Sequence, residues 1–273
     1  MLVQDMVRWI DSFAPFDTQE DFDNCGLILG DPRQTVRKVL FALDATPGAA
    51  REAARMGADL IVTHHPLMFT AAKQLYYHRG EGPVIRTLMG AGISIIAAHT
   101  NLDKCPGGVA ESLAEALELP CPAPSKETLY LRTSTLQPPH KAKDLLARID
   151  SLLHACTRLY GDPEALIRTV TVTPGAGSRD HIYVTADAFI TGEVAHHELL
   201  DLAARGIVVF DAGHYPTEFP GVSALYKRFL AAASQMQWQV EATLYTQPPY
   251  PCSTHGISAL QEQTMKEDLH GTD

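Results

Sequence analysis

Hydrophobic positions at the start of the chain follow a helical period. Val3, Met6, Val7, Ile10 and Phe13 recur at intervals of three and four residues, which places them on one face of a helix. A helix with one apolar face packs that face on a core. The chain is therefore predicted to open with an amphipathic helix that covers part of the hydrophobic core.

The apolar runs that follow are short and are separated by a helical segment. Segments 23–31, 39–47 and 60–63 predict strands, because each is a short apolar run bounded by turn residues. The alanine-rich segment 48–58 predicts a helix between the last two strands, with Gly57 as its C-terminal stop. Strand, helix and strand joined by short loops form a parallel βαβ unit.

The same order of elements recurs about half a chain later. The sequence ALDATPG is matched by TVTVTPGAG at 169–177, and ADLIVTHH at 58–65 is matched by ADAFITGE at 186–193. GISIIAAHTNLD at 92–103 is matched by GIVVFDAGHYPTE at 206–218, and each of these two blocks leads into a helix that starts with Gly-Val. Four matched blocks in the same order predict an internal duplication.

The predicted fold is α/β, with two similar lobes from this duplication. Each lobe is a mixed or parallel sheet flanked by helices, and the functional site lies between the lobes. We expect a first lobe at 1–124, a second lobe at 125–247 and a polar tail at 248–273, with a short helix near 257–265. The first copy has about fourteen more residues after its strand end than the second, and this insert at 66–82 is a candidate lid.

Composition narrows the range of partners and compartments. The 273 residues are 45% hydrophobic and 20% charged, which is typical of a globular protein, and no apolar run is long enough to cross a bilayer. The formal net charge of −10 disfavours nucleic acid as the main partner, since that binding needs clustered basic residues. Five scattered cysteines without CxxC spacing predict reduced thiols and a cytoplasmic protein.

Polar side chains cluster where the predicted strands end. Parallel sheets bind ligands at the carboxyl ends of their strands, and imidazoles with carboxylates are typical ligands of divalent metals. Each motif also has an ordinary explanation: loop histidines for THHP, a side-chain-stabilised turn for HTNLD, and a helix start capped by Thr217 for HYPTE. Taken together, the motifs favour a site with two metals, because several ligands come from separate loops.

The motifs DNCGLILG, VTHHP, AAHTNLDKCPGG, ADAFITGE and DAGHYPTE resemble, in order and spacing, those of the Nif-three-like proteins, which are also called GTP cyclohydrolase I type 2 homologs. The resemblance covers roughly residues 1–247. It implies a two-lobed α/β protein, two divalent metals between the lobes and a homo-hexamer. The chain departs from the family at Cys25, where valine is usual, and it lacks the large insert of the longer members.

Carried over by position, the resemblance implies five metal ligands, with Glu218 as the bridging ligand between two ions. They are His64, His65, Asp103, His214 and Glu218. The metal is zinc, iron or manganese, because His and carboxylate sites accept each of these.

Two further residues are candidate catalytic groups. His99 occupies the position of His214 in the other repeat, and it either ligates a metal or donates a hydrogen bond to Asp103 from behind; we favour the second role. Glu193 occupies the position of His65, where it serves either as a general base or as a cap of the following helix. Lys73, His78, Arg79 and Lys104 lie near the expected mouth of the site, as phosphate ligands or as solvated loop charges.

The function predicted from these features is that of a metal-dependent hydrolase acting on a purine nucleotide such as GTP. The alternative is a regulator or metal carrier that binds the same metals without turnover. A ring that binds nucleic acid is disfavoured by the acidic charge. The glycine-rich segment 173–180 lacks the lysine of a P-loop and is explained by a plain turn.

Overall fold

The computed structural model describes residues 1–250, and the helix expected near 257–265 lies outside them. Two mixed sheets form the centre of the molecule. The first contains β1 (Gly26–Leu29), β2 (Lys38–Ala42), β3 (Leu60–Thr63), β4 (Ser94–Ala97) and β11 (Glu241–Leu244). The second contains β5 (Ala123–Pro124), β6 (Arg132–Lys141), β7 (Arg158–Tyr160), β8 (Leu166–Val172), β9 (Ala188–Thr191) and β10 (Val208–Asp211).

Helices cover both faces of each sheet. They are α1 (Val3–Asp11), α2 (Pro47–Met56), α3 (Gly82–Ala91), α4 (Thr100–Lys104), α5 (Val109–Ala116), α6 (Ala142–Leu153), α7 (His196–Ala204) and α8 (His214–Gln235). Short 3₁₀ helices occupy Phe16–Thr18 and Gly177–Tyr183. The α/β class and the mixed, helix-flanked sheets predicted from the sequence are confirmed.

The two sheets share a central topology. Their spatial orders are β1-β4-β3-β2-β11 and β5-β6-β8-β9-β10-β7. β2, β3 and β4 run parallel to one another, as do β8, β9 and β10, and an antiparallel strand flanks β4 and β10 in each case. The carboxyl ends of three parallel strands therefore lie side by side at one edge of each sheet.

The local sequence explains the predicted helices. In α1, Val3, Met6 and Ile10 are fully buried, as their spacing predicts. In α2, the Thr46 side chain accepts a hydrogen bond from the backbone at Ala49, and Gly57 ends the helix with φ 66°, a left-handed conformation that glycine adopts without steric cost.

Two helices pack across the boundary suggested by the sequence. α8, from the second half of the chain, packs on the first sheet through Val222, Leu225 and Phe229. α5, from the first half, contributes Leu113 and Ala114 to the core of the second sheet. β11 also joins the first sheet, beside β2. The division at residue 124 remains a prediction, and these elements connect the two sheets into one structure.

The two exchanged helices cross at close range. A Cβ atom on Gly221 of α8 would lie only 2.8 Å from both methyl carbons of Val109 at the start of α5. Such a distance leaves no space for a larger side chain. The crossing therefore requires glycine at this position, and it fixes α8, which carries two of the predicted metal ligands at its N-terminus.

Candidate metal centre

Two adjacent histidines reach one site because the chain turns at the end of β3. The Thr63 hydroxyl donates to the His65 carbonyl at 2.8 Å, which closes a tight turn directly after the strand. The rings of His64 and His65 lie 5.0 Å apart at an interplanar angle of 49°. Without this turn the two side chains would point to opposite faces of the sheet.

The five predicted metal ligands come together. His65 Nε2 and His214 Nε2 lie 3.0 and 2.9 Å from Oε2 of Glu218, and the two nitrogens are 3.3 Å apart. On the other side, His64 Nε2 lies 3.5 Å from Oδ1 of Asp103 and 3.9 Å from Oε1 of Glu218. Each carboxylate oxygen of Glu218 therefore faces a different group of ligands.

Three nitrogen and oxygen atoms of the predicted metal ligands are buried without a hydrogen-bond partner among the described residues. They are His64 Nε2, Asp103 Oδ1 and Glu218 Oε2. The two imidazole nitrogens near Oε2 are within ion-pair distance, but their alignment does not make hydrogen bonds. Burying such atoms unpaired costs about 1–3 kcal/mol each. Nitrogen and carboxylate donors that converge in this way fit divalent metal ions.

Burial and the nearby charges shift the pKa values of several residues in the cluster. Burial would lower the pKa of His65, but its hydrogen bond with Asp44 and the nearby Glu218 carboxylate raise it to about 10. Burial lowers the pKa of His64 to about 3. Burial and the Glu218 charge raise the pKa of Asp103 well above its ordinary value. In the metal-free protein, His65 is thus an imidazolium held between two carboxylates.

An outer set of acceptors orients the imidazoles. Asp44, directly after β2, lies 2.7 Å from His65 Nδ1, and the Ala98 carbonyl lies 2.9 Å from His64 Nδ1. Glu193 lies 2.8 Å from His214 Nδ1. These contacts leave each Nε2 free to point into the cluster. Such acceptors set the tautomer and raise the basicity of a metal-binding histidine.

The candidate catalytic residues lie beside the cluster. His99 Nδ1 is 3.0 Å from the buried Asp23 carboxylate, and the support of Asp103 by His99 remains a prediction. The His99 ring lies 5.0 Å from that of His64, and His64, His65 and His99 form a second group with metal-binding potential. Glu193 does not cap α7, because Glu198 accepts the hydrogen bond from the Ala195 backbone there. Its role as a general base remains a prediction.

Two carboxylates of this site were missed from the sequence. Asp44 follows β2 in the repeated block ALDATPG, and Asp23 opens the DNCG motif. The position of Asp44 at a strand end, in a block already recognised as repeated, was a usable signal. Asp23 is brought to His99 and Thr100 only by the fold, and nothing in its local sequence predicts that contact.

Thr217 also has a different role from the one suggested by the sequence. α8 begins at His214, so Thr217 lies inside the helix and is not its cap. Its hydroxyl donates to the Gly213 carbonyl at 2.9 Å and accepts from the Gly175 backbone at 3.0 Å. Thr217 therefore fastens the segment around Gly175 to the helix that carries His214 and Glu218.

The glycine-rich segment is part of the site wall. Gly175 has φ 54°, and a Cβ atom there would lie 1.9 Å from Glu218 Oε1 and 3.1 Å from His214 Nε2. Pro174, Ala176 and Gly177 line the same cavity as the metal-binding cluster. The interpretation of residues 173–180 as a plain turn is therefore incomplete: the segment turns, and it does so against the candidate bridging carboxylate.

A cavity of about 700 Å³ opens over the cluster, a size suited to a small-molecule ligand. The insert at 66–82 forms one wall through Pro66, Leu67 and Phe69, and the Phe69 ring lies 5.3 Å from that of His99. Phe69 is exposed by 45% and gives this wall apolar surface. Movement of the insert as a lid remains a prediction.

The family model for Duf34/NIF3 (NGG1p interacting factor 3) matches residues 1–251. This chain belongs to the Duf34/NIF3 family. Among its relatives, the GTP cyclohydrolase 1 type 2 homolog of Streptomyces coelicolor is 31% identical, over 96% of this chain and 98% of that protein. The resemblance inferred from the dispersed sequence motifs is thereby confirmed.

Solved structures agree with the family assignment. Reduced HcgD from Methanocaldococcus jannaschii is 27% identical and superposes with a TM-score of 0.76, covering 89% of this chain and 97% of that one. A Bacillus cereus protein related to NIF3 has a TM-score of 0.87 over 93% of this chain and 99% of that one; at 20% identity it supports the fold alone. No helix among residues 1–250 has the length and apolar character needed to span a membrane.

Proposed function

We propose that this member of the Duf34/NIF3 family binds two divalent metal ions per chain and hydrolyses a purine nucleotide. The observation that carries the proposal is the position of Glu218, which directs one oxygen toward His65 and His214 and the other toward His64. A buried carboxylate that faces two ligand groups is suited to bridge two ions. We assign His65, His214 and Glu218 to one ion, and His64, Asp103 and Glu218 to the other.

Divalent ions in this position would supply a nucleophile from water near neutral pH and polarise the bond under attack. The protein residues perform the remaining tasks. Asp44 and Glu193 hold the imidazoles of His65 and His214 in register through their Nδ1 atoms. His99 lines the cavity and is held in place by Asp23, so it can accept a proton from a bound molecule or donate one to it.

The substrate class rests on the relatives. The relatives named GTP cyclohydrolase 1 type 2 homolog suggest a guanine nucleotide, and the cavity volume is compatible with one. Both opening of the guanine ring and cleavage of a phosphoester suit a pair of divalent metals. We therefore propose a hydrolytic step on a purine nucleotide without choosing the bond.

The test is a turnover assay with metal-loaded protein. GTP and a simple phosphodiester are incubated with wild type and with Asp103→Ala, loaded separately with zinc, iron and manganese, and products are separated by chromatography. Turnover by wild type that is lost in Asp103→Ala supports the proposal. If folded, metal-loaded wild type turns over neither compound, the hydrolase proposal fails and the alternative, a metal carrier or regulator, takes its place.

We also propose a homo-hexamer in the cytoplasm, two lobes related by duplication, and a lid function for the insert. The order β2-β3-β4 in one sheet and β8-β9-β10 in the other supports the duplication. The hexamer follows from the family resemblance and from the tendency of oligomers to adopt closed symmetry. Light scattering that reports a stable monomer at micromolar concentration would overturn it.

A further inference from the structure

One arginine stands out among the residues that line the cavity over the candidate metal centre. Arg179 lies in the 3₁₀ helix Gly177–Tyr183, near the end of the glycine-rich wall segment 173–180. Its side chain is exposed, and it makes no hydrogen bond or ion pair with another described residue. Arginine and lysine are otherwise absent from the described cavity lining.

The basic residues singled out from the sequence are engaged elsewhere. Lys104 lies 2.6 Å from Glu20 and donates to the Thr18 carbonyl at 2.9 Å. The guanidinium of Arg79 lies 4.1 Å from the centre of the Tyr76 ring. Neither of them lines the cavity over the metal centre, and neither do Lys73 and His78. Among residues 1–250, Arg179 is thus the one arginine or lysine available to a molecule in this cavity.

Among the described residues, no acidic group of the cavity forms an ion pair with Arg179. Asp180 accepts a hydrogen bond from the Thr128 hydroxyl, and Glu20 is held by Lys104 and Tyr130. Asp44 is held by His65. An unpaired guanidinium has a planar set of donors that matches the oxygens of a phosphate group.

Arg179 is also within reach of a molecule bound at the metals. Gly175 lies against Glu218. Arg179 comes four residues after Gly175, and four residues of chain span at most about 14 Å. The intervening Ala176 and Gly177 line the same cavity. A ligand of nucleotide size can therefore touch the candidate metal ligands and the Arg179 guanidinium together.

We propose that Arg179 binds the phosphate of the substrate and so determines the specificity of the site for phosphorylated over unphosphorylated nucleosides. This inference rests on the proposed function of the site. The cavity then has two regions: the histidine and carboxylate cluster, and an arginine that recognises the phosphate. Phe22 and Phe69, which are exposed by 63% and 45%, provide apolar surface in the same cavity for the flat base.

The experiment is isothermal titration of metal-loaded protein with GMP and with guanosine, which differ only in the phosphate. Wild type is compared with Arg179→Gln and with the control Arg37→Gln. Arg37 is an exposed arginine just before β2, at the opposite end of the sheet from the cavity. We expect Arg179→Gln to weaken GMP binding by about 10-fold or more, the scale of a charge-assisted contact. Guanosine binding, metal content and the Arg37→Gln control are expected to remain at wild-type values.

Equal GMP affinity in Arg179→Gln and wild type would overturn the inference, as would an equal loss for GMP and guanosine. If wild type binds no GMP, the nucleotide proposal fails separately, and inorganic phosphate becomes the probe. Weaker phosphate binding by Arg179→Gln then supports a phosphate role for Arg179 in a site with another substrate. If wild type binds no phosphate, or if Arg179→Gln binds phosphate as tightly as wild type, the phosphate role of Arg179 is overturned.

Discussion

Gly175 and Glu218 approach so closely that a Cβ atom on the glycine would lie 1.9 Å from Oε1 of the carboxylate. Gly175 comes from the loop after β8, and Glu218 comes from the first turns of α8. The contact holds the carboxylate in the orientation that presents Oε2 to His65 and His214. A glycine in a loop thus controls the geometry of a residue on a helix.

Gly175→Ala is expected to displace Glu218 and to reduce the metal content of the folded protein to one ion or fewer. The matched control is Gly206→Ala, where φ is 73° but nothing lies within 4 Å of the added carbon. The control carries only the backbone penalty of about 1–2 kcal/mol for a left-handed residue with a side chain. Elemental analysis and urea unfolding of both variants separate the two effects. Full metal content in Gly175→Ala would show that the contact does not position Glu218.

The stability of the metal-free protein is expected to fall as the pH rises from about 6.5 to about 10. The folded pKa of His65 is raised to about 10 from the ordinary 6.5. The stabilisation that His65 contributes is therefore complete below pH 6.5 and is lost as the pH rises through 10. The pKa of His214 is also raised, because its contact with Glu218 outweighs burial, and its contribution has the same sign.

Metal binding reverses this trend, because protons must leave His65 before it can ligate. Affinity for zinc or manganese is expected to increase with pH, and titrations at pH 7 in buffers of different ionisation enthalpy should show proton release. Urea unfolding at pH 6 and pH 8.5, with and without metal, measures both trends. Proton uptake on metal binding, or parallel pH trends of the two forms, would contradict the assignment of His65 as a protonated residue that becomes a ligand.

Asp44→Asn is expected to weaken metal binding by about 10- to 100-fold while leaving the fold intact, since Asp44 orients His65 through Nδ1. Asp187→Asn is the control. Asp187 lies just before β9, at the end of the second sheet away from the metal centre, and it accepts hydrogen bonds from the backbone N–H groups of Arg168 and Thr169. Competition with a chelator of known affinity measures the difference. Equal losses in the two variants would indicate a general effect on the fold.

Two substitutions of Glu193 distinguish proton transfer from orientation. Gln retains an oxygen that can accept from His214 Nδ1, whereas Ala removes it. If Glu193 is a general base, both variants lose turnover by roughly 10²-fold or more. If Glu193 only orients His214, Glu193→Gln retains most of the turnover and Glu193→Ala loses metal affinity. We expect the second result, because the contact of Glu193 is with His214 Nδ1, and the first would place Glu193 among the catalytic residues as a general base.

Much of the fold follows from local patterns. The period of α1, the cap and stop of α2, and the short buried strands β3 and β9 were all predictable, because hydrophobic spacing and turn residues specify them. The segment from 125 to 165 was not predicted in detail. Its strand β7 has three residues and lies at a sheet edge, where the apolar pattern is weak.

The part of the candidate site that lies at strand ends was predictable from the sequence. His64 and His214 could be placed together because each follows the end of a predicted strand and the two repeats were expected to face each other, but the exchange of α5 and α8 between the sheets depends on the Gly221 crossing. Long-range partners such as Asp23 and His99, 76 residues apart, are set by tertiary packing, and a local sequence pattern carries no signal for them. The same holds for Arg179, whose proposed role depends on its position in the cavity and on having no ion-pair partner among the described residues.

The central claim of two ions bridged by Glu218 is tested most directly by elemental analysis of protein purified and resupplied with a divalent metal. The partner variant is Glu218→Gln, which keeps the size of the side chain and removes the charge that bridging requires. We predict about two ions per chain in wild type and one or fewer in folded Glu218→Gln. One ion or fewer in folded, metal-supplied wild type, or two ions retained by Glu218→Gln, would contradict the claim.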